Sequence, residues 1–185
     1  MNARLGDFGL ALMHNHEQIA NTSRVIGTVG YMAPELIRTG RASTQTDVFS
    51  FGVLVLEVVC GRRPTEENKP ALVAWVRGLM ERGEVCSALD ERLKMRGGYS
   101  IDEVERVLHL GLLCTHPDPN VRPTMRHVVK VMEGESMEMS LLDKINSAAG
   151  YAERSIGNTT HPTIEDMFQS YCSFSTSTLF LSEGR

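Results

Sequence analysis

No apolar run in this chain is long enough to cross a bilayer. The longest, residues 53–60, is interrupted by Glu57 and falls far short of the roughly 20 residues a spanning helix needs. The first residues carry Arg4 and Asp7 and no apolar core of the kind a secretory signal has, so the chain as written is expected in the cytosol. A basic excess is also missing, with 19 Lys and Arg against 23 Asp and Glu, which leaves no electrostatic footprint for a nucleic-acid backbone. Cysteines number four, at 60, 86, 114 and 172, and form no C-x-x-C pair. That spacing suggests neither a zinc ribbon nor a disulfide framework, and the thiols are expected reduced and packed as small apolar groups. His14 and His16 make an H-x-H without a third ligand nearby and read as exposed loop histidines. The sequons at Asn21 and Asn158 would matter only in a secreted protein.

What is present is ordinary globular composition, 42% apolar and 23% charged over 185 residues, a length that suits one domain with a tail. The charge is unevenly placed. Residues 1–133 hold 16 basic and 16 acidic side chains, whereas residues 134–185 hold 3 and 7, so the net charge of -4 sits in the last quarter. That quarter also has 14 Ser or Thr in 52 residues and few periodic apolar positions apart from Met137 to Ile145, and it is expected to be a flexible tail.

The body reads as helical after a long glycine-punctuated loop over residues 6–30. "YMAPELIR" suggests a short helical turn. Thr44 or Thr46 is placed to cap a longer helix running to Cys60, with Gly61 as its stop and apolar residues nearly all round, as in a central buried helix. A further helix is expected to open at Pro70 and run to Gly83, with Leu72, Val73, Val76, Leu79 and Met80 on one face. Ser100 and Glu103 form a capping box ahead of a helix ending near Cys114. Thr124 is expected to cap a last amphipathic helix, with Met125, Val128, Val129 and Met132 inward and Gly134 beyond. Nothing alternates as a strand ladder would or repeats in tandem.

Three short strings then stand in order: Asp7-Phe8-Gly9, Ala33-Pro34-Glu35 and Asp47-Val48-Phe49-Ser50-Phe51-Gly52. D-F-G and A-P-E 26 residues apart resemble the two ends of a protein-kinase activation segment, and D-x-F-S-x-G resembles the central helix of the kinase large lobe. "GTVGYMAPE", "TDVFSFGVLVLEVVCGRRP" and "LLCTHPDPNVRPTMRHVVKVMEG" are similar to plant receptor-like kinases, most of all those whose outer domain is a legume-type lectin. The fold this implies is mainly α, a partial protein-kinase-like fold made of the helical large lobe with no small lobe. Its expected parts are an activation segment over 7–35, helices over 44–134 and the tail over 135–185.

The resemblance implies that Asp7 holds the magnesium that bridges ATP phosphates, since a hard cation takes carboxylate oxygen. It implies that Phe8 packs inward and that Gly9 lets the loop switch conformation. Thr28 matches the threonine that touches the catalytic aspartate in serine/threonine kinases, and Thr22 and Ser23 match phosphorylation positions. Glu35 and Arg122 correspond to a buried ion pair of the large lobe. Asp47 corresponds to a mostly buried carboxylate that bonds catalytic-loop backbone; without that loop it is expected to be unpartnered, with Phe8, Phe49 and Val53 partly bare.

The implied activity is ATP-dependent transfer of a phosphoryl group to Ser or Thr of a protein substrate, with ATP and Mg2+ as cofactors of the complete domain. No H-R-D aspartate, Gly-rich loop or strand lysine occurs in the 185 residues, so no catalytic residue is assigned and the chain alone is expected to be inactive. Met1 lies where the family has an internal methionine, which suggests a truncated product or incomplete gene reading whose parent is a membrane-anchored receptor with a cytosolic kinase domain. The alternative is a non-catalytic interaction or pseudokinase module that binds a kinase or a substrate.

Overall fold

The computed structural model describes Arg4, Gly6, Phe8 and residues 27–135. Asp7, Gly9, Thr22 and Ser23, the histidines at 14 and 16, Cys172 and the tail from 136 onward lie outside the described residues. Among the described residues there are helices and turns and no strand. They run as α1 (Pro34–Thr39), α2 (Thr44–Cys60), α3 (Leu72–Glu81), a 3₁₀ turn (Val85–Ala88), α4 (Glu91–Arg96), α5 (Ile101–Cys114) and α6 (Met125–Met132).

α2 is the centre because three of its sides are apolar and each meets a different partner. Leu56 and Cys60 pack with Leu72, Val76 and Leu79 of α3 and with Leu108 and Leu112 of α5. Val48 packs with Leu110 and Cys114 of α5 and with Val128 and Val131 of α6. Phe49 and Val53 take Ala33, with Tyr31, Leu36 and Val73 around them. Burying side chains of this size contributes roughly 1.5–3 kcal/mol each, so the three-sided contact of α2 dominates the core.

The caps show how local chemistry sets the ends. Ser100 accepts from the Glu103 amide at 3.1 Å while Glu103 Oε2 accepts from the Ser100 amide at 2.9 Å, the expected capping box of α5. α2 starts differently from the expectation: Ser43 is its cap, accepting from the Thr46 amide, and Thr46 is the third helical residue whose hydroxyl accepts from the Ser43 amide. Pro70 lies just before α3, whose cap is Ala71. In α6 the buried face is Val128 and Val131, while Met125, Val129 and Met132, expected inward, are 41%, 49% and 49% exposed. The core of α2 and α5 reaches only one side of that helix.

Buried Cys60 and Cys114 behave as small apolar groups. Burial pushes both thiols up to about 12, which keeps them protonated and inert.

Candidate functional site

The segment that leads into α1 is fastened to α2 and to the turn after α5, and one arginine makes most of the attachment. Arg122 lies in the proline-rich turn 116–123, its side chain fully withdrawn from solvent. Its guanidinium meets Glu35 of α1 in a bidentate pair, Nη1 to Oε1 at 2.6 Å and Nη2 to Oε2 at 2.8 Å. Nε donates to the His116 carbonyl at 2.7 Å, Nη1 also to the Gln45 carbonyl at 2.9 Å, and Nη2 to the Pro117 carbonyl at 3.4 Å. The same group stands 5.0 Å over the Phe49 ring. Every N–H of the fork is engaged, and the planar cation lies on an aromatic face, an arrangement a lysine could not reproduce.

A second set of contacts holds the backbone just ahead of α1. Ser50 Oγ donates to the Tyr31 carbonyl at 2.8 Å, and the Tyr31 hydroxyl donates to a Glu57 carboxylate oxygen. Burial, together with the bond and the charge of Glu57, pushes the Tyr31 phenol up to about 12, so it stays a donor. Gly30 packs against Pro64 with φ of +97°; a Cβ there would come within 2.9 Å of the proline ring in a backbone region that side chains avoid. Sequence reading missed Tyr31, Ser50 and Glu57, although the signal was visible: Ser50 and Glu57 are seven residues apart on one side of an otherwise apolar helix, and Glu57 is the residue that interrupts the longest apolar run.

The structure thus brings Glu35 and Arg122 together across 87 residues of sequence. Thr28 is exposed, its carbonyl accepting from the Tyr31 amide at 3.2 Å. Three expectations are corrected. Asp47 is exposed at the first turn of α2 and not buried, because no part of the described chain covers that side; the carboxylate stays hydrated next to the helix N-terminus, so the expected desolvation cost does not arise. Phe49 and Val53 are 7% and 0% exposed and not partly bare, since Tyr31 to Leu36 folds over them. Phe8 is 65% exposed, so it does not pack inward as the resemblance implies for the complete fold, and it is bare as expected of this chain.

Among the described residues no group of three or more His, Cys, Asp or Glu is placed to hold a metal ion, and a single carboxylate at Asp7 would leave most of a magnesium shell to water and phosphate. Nor is any helix among them long and apolar enough to cross a membrane.

Residues 1–132 match the protein kinase domain family. The chain belongs to that family. It is similar to two Arabidopsis thaliana proteins, L-type lectin-domain containing receptor kinase VII.1, at 54% identity over 90% of this chain, and the probable L-type lectin-domain containing receptor kinase VII.2, at 51% over 92%. The chain spans about a quarter of the length of these relatives, 26% in each case. Among solved structures it is similar to the pseudokinase domain of BIR2, described as an immune regulator of the RLK/Pelle family, with a TM-score of 0.52 at 29% identity over 60% of this chain and 36% of that one. The helical kinase fold and the receptor-kinase kinship implied by the motifs therefore stand.

Proposed function

We propose that residues 1–134 are the large-lobe portion of a serine/threonine receptor-like kinase domain, and that residues 135–185 are its tail. The reading rests above all on the attachment of the A-P-E helix: Glu35, held by Arg122, fixes the end of the segment that begins at Asp7-Phe8-Gly9. In the complete domain that segment presents a protein hydroxyl to ATP, and Asp7 contributes a carboxylate to the Mg2+ that neutralises charge on the transferred phosphoryl group. "GTVGYMAPE" with Thr28 favours Ser and Thr as acceptors, and phosphate on Thr22 or Ser23 would order the segment against arginines. Receptor-kinase relatives favour a cytosolic position on a membrane-anchored parent.

The 185 residues alone transfer no phosphate, because positioning of ATP and of the nucleophile needs the H-R-D aspartate, the strand lysine and the Gly-rich loop together. The test is incubation with labelled ATP, Mg2+ and a generic protein acceptor, beside a polypeptide that also carries those elements ahead of Asp7. The longer polypeptide is expected to label Ser and Thr, and Asp7→Asn to abolish labelling. Turnover by the 185 residues within about 100-fold of the longer protein, about 2.7 kcal/mol of barrier, refutes their inactivity, and labelled Tyr refutes the acceptor class.

A second reading, a non-catalytic module that binds a kinase or a substrate, is favoured by the likeness to a pseudokinase domain. Genomic sequence upstream of the Met1 codon separates the two. An open frame with H-R-D supports the kinase, and an in-frame stop with a matching transcript supports the module.

A further inference from the structure

A cavity of about 270 Å³ opens at the C-terminal end of α2, walled by Glu57, Val58, Gly61, Arg62, Arg63 and Arg92. It is smaller than the roughly 300–1,000 Å³ of a small-molecule site and suits a single side chain. Three of its six residues are arginines and one is acidic. Two of these four charges are already engaged. Arg92 pairs with Asp90, Nη2 to Oδ2 at 2.6 Å, and Asp90 comes so close to Gly61 that only a residue without a Cβ fits there. Glu57 accepts from the Tyr31 hydroxyl. Arg62 and Arg63 have no carboxylate of their own among the described residues. Arg62 lies 5.0 Å over the Trp75 ring and donates from Nη2 to the Pro70 carbonyl, yet its buried Nε has no hydrogen-bond acceptor among the described residues. Arg63 is exposed. A buried donor without an acceptor is costly and marks a place where an acceptor belongs.

The cavity adjoins the segment that leads into α1. Its wall residue Glu57 holds Tyr31, and Pro64 and Thr65, which follow the two arginines in sequence, abut Gly30: a Cβ there would lie 2.9 Å from Pro64 and 3.4 Å from Thr65. On the function proposed above, residues 28–31 belong to the segment that presents a protein hydroxyl to ATP. A substrate chain laid along that segment passes next to Arg62 and Arg63.

We propose that this cavity receives an anionic side chain of the protein substrate, a carboxylate or a phosphorylated hydroxyl, within a few residues of the acceptor hydroxyl. The inference rests on the kinase reading and adds a substrate class to it. Arg62 and Arg63 supply the positive charge. Arg62 is held in place by the Trp75 face and the Pro70 carbonyl before the oxyanion arrives, so little side-chain freedom is lost on binding. A cationic side chain at the same place in the substrate is repelled, which makes the arginines a means of rejection as well as of attraction.

Fluorescence anisotropy with the full 185-residue chain tests the cavity directly, using labelled peptides that carry Ala, Glu, phosphoserine or Lys at each position within four residues of a serine. At the best position the Glu or the phosphoserine peptide is expected to bind at least about tenfold more tightly than the Ala peptide and the Lys peptide more weakly, and the tighter of the two anions names the source. Arg62→Gln with Arg63→Gln is expected to abolish the preference, and Arg63→Glu, at an exposed position that folding does not depend on, to turn it towards Lys. Equal affinity for all four peptides overturns the proposal, as does an anionic preference that survives these substitutions. Phosphorylation of the same peptides by the polypeptide that also carries the H-R-D loop, the strand lysine and the Gly-rich loop separates this proposal from the kinase reading. A kcat/KM raised about tenfold by the anion supports both, labelling of serine with no such preference overturns the cavity alone, and an anionic preference in binding without any labelling overturns the kinase reading alone.

Discussion

Arg122 is the residue on which the attachment of the A-P-E helix depends. Replacing it by Ala leaves the Glu35 carboxylate, only 14% exposed, without its cation and the His116 and Gln45 carbonyls without a donor. Breaking such a pair on one side costs roughly 3–5 kcal/mol, whereas an exposed position such as Arg126 changes stability by about 0.5 kcal/mol or less. Urea unfolding of Arg122→Ala and Arg126→Ala is expected to differ accordingly, and equal shifts would contradict the assignment. The identity of both partners was readable from "APE" and "NVRP". The Phe49 ring beneath the guanidinium was not, because a helical pattern states which side is apolar and not which ion will lie on it.

His116 adds a dependence on pH. It is 3% exposed, and its Nδ1 accepts from the Asp118 amide at 3.0 Å, which requires a neutral ring with its proton on Nε2. Burial lowers its pKa below 6.5; Arg77 and Arg122 act in the same direction, and Asp118 acts against them. An unfolded chain therefore takes up the proton before the folded one does. The stability contributed by the neutral ring is complete above about pH 6.5 and is lost as pH falls below it. Half-buried His109, lowered by desolvation, has the same sign. Urea midpoints measured at pH 7.5, 6 and 5 should decline, and His116→Gln should decline less steeply; an unchanged slope in the variant would exclude His116 as the source.

At the scale of elements, α2 and α5 approach closely because glycines meet at their crossing. A Cβ on Gly52 would lie 2.5 Å from Cys114 Cβ and 3.0 Å from the Gly111 carbonyl, while one on Gly111 would lie 2.6 Å from a Leu56 methyl. Backbone and Cβ atoms cannot move aside as a side-chain end can. Gly52→Ala should therefore cost about 1–3 kcal/mol, and Gly111→Ala less; thermal melts giving the reverse order would show that the crossing is set elsewhere. The long helices were legible through their caps and periods. The 3₁₀ turn at Val85–Ala88 and the six-residue α4 were not, since less than two turns contain no period to detect.

For the whole molecule, the uncovered side of α2 matters most. Leu54 and Val58 on that helix are 47% and 65% exposed, an apolar strip that water disfavours and another surface would cover. The 185-residue chain is expected to self-associate as concentration rises, and Leu54→Lys with Val58→Glu to weaken that association in sedimentation equilibrium. Association unaffected by both changes would place the contact on another face.

The sequence by itself determined the helical class, the positions of α2, α3, α5 and α6, the capping box of α5 and the pairing partners Glu35 and Arg122. These are local or motif-borne features: a cap needs four residues and a period needs two turns. Only the tertiary structure decided that Asp47 is wet, that Phe49 and Val53 are sealed by the chain before α1, that Tyr31 is held by Ser50 and Glu57, and that half the apolar arc of α6 faces outward. Each of these depends on which surface reaches a given side of a helix, and a repeating apolar pattern carries no information about what will be laid against it.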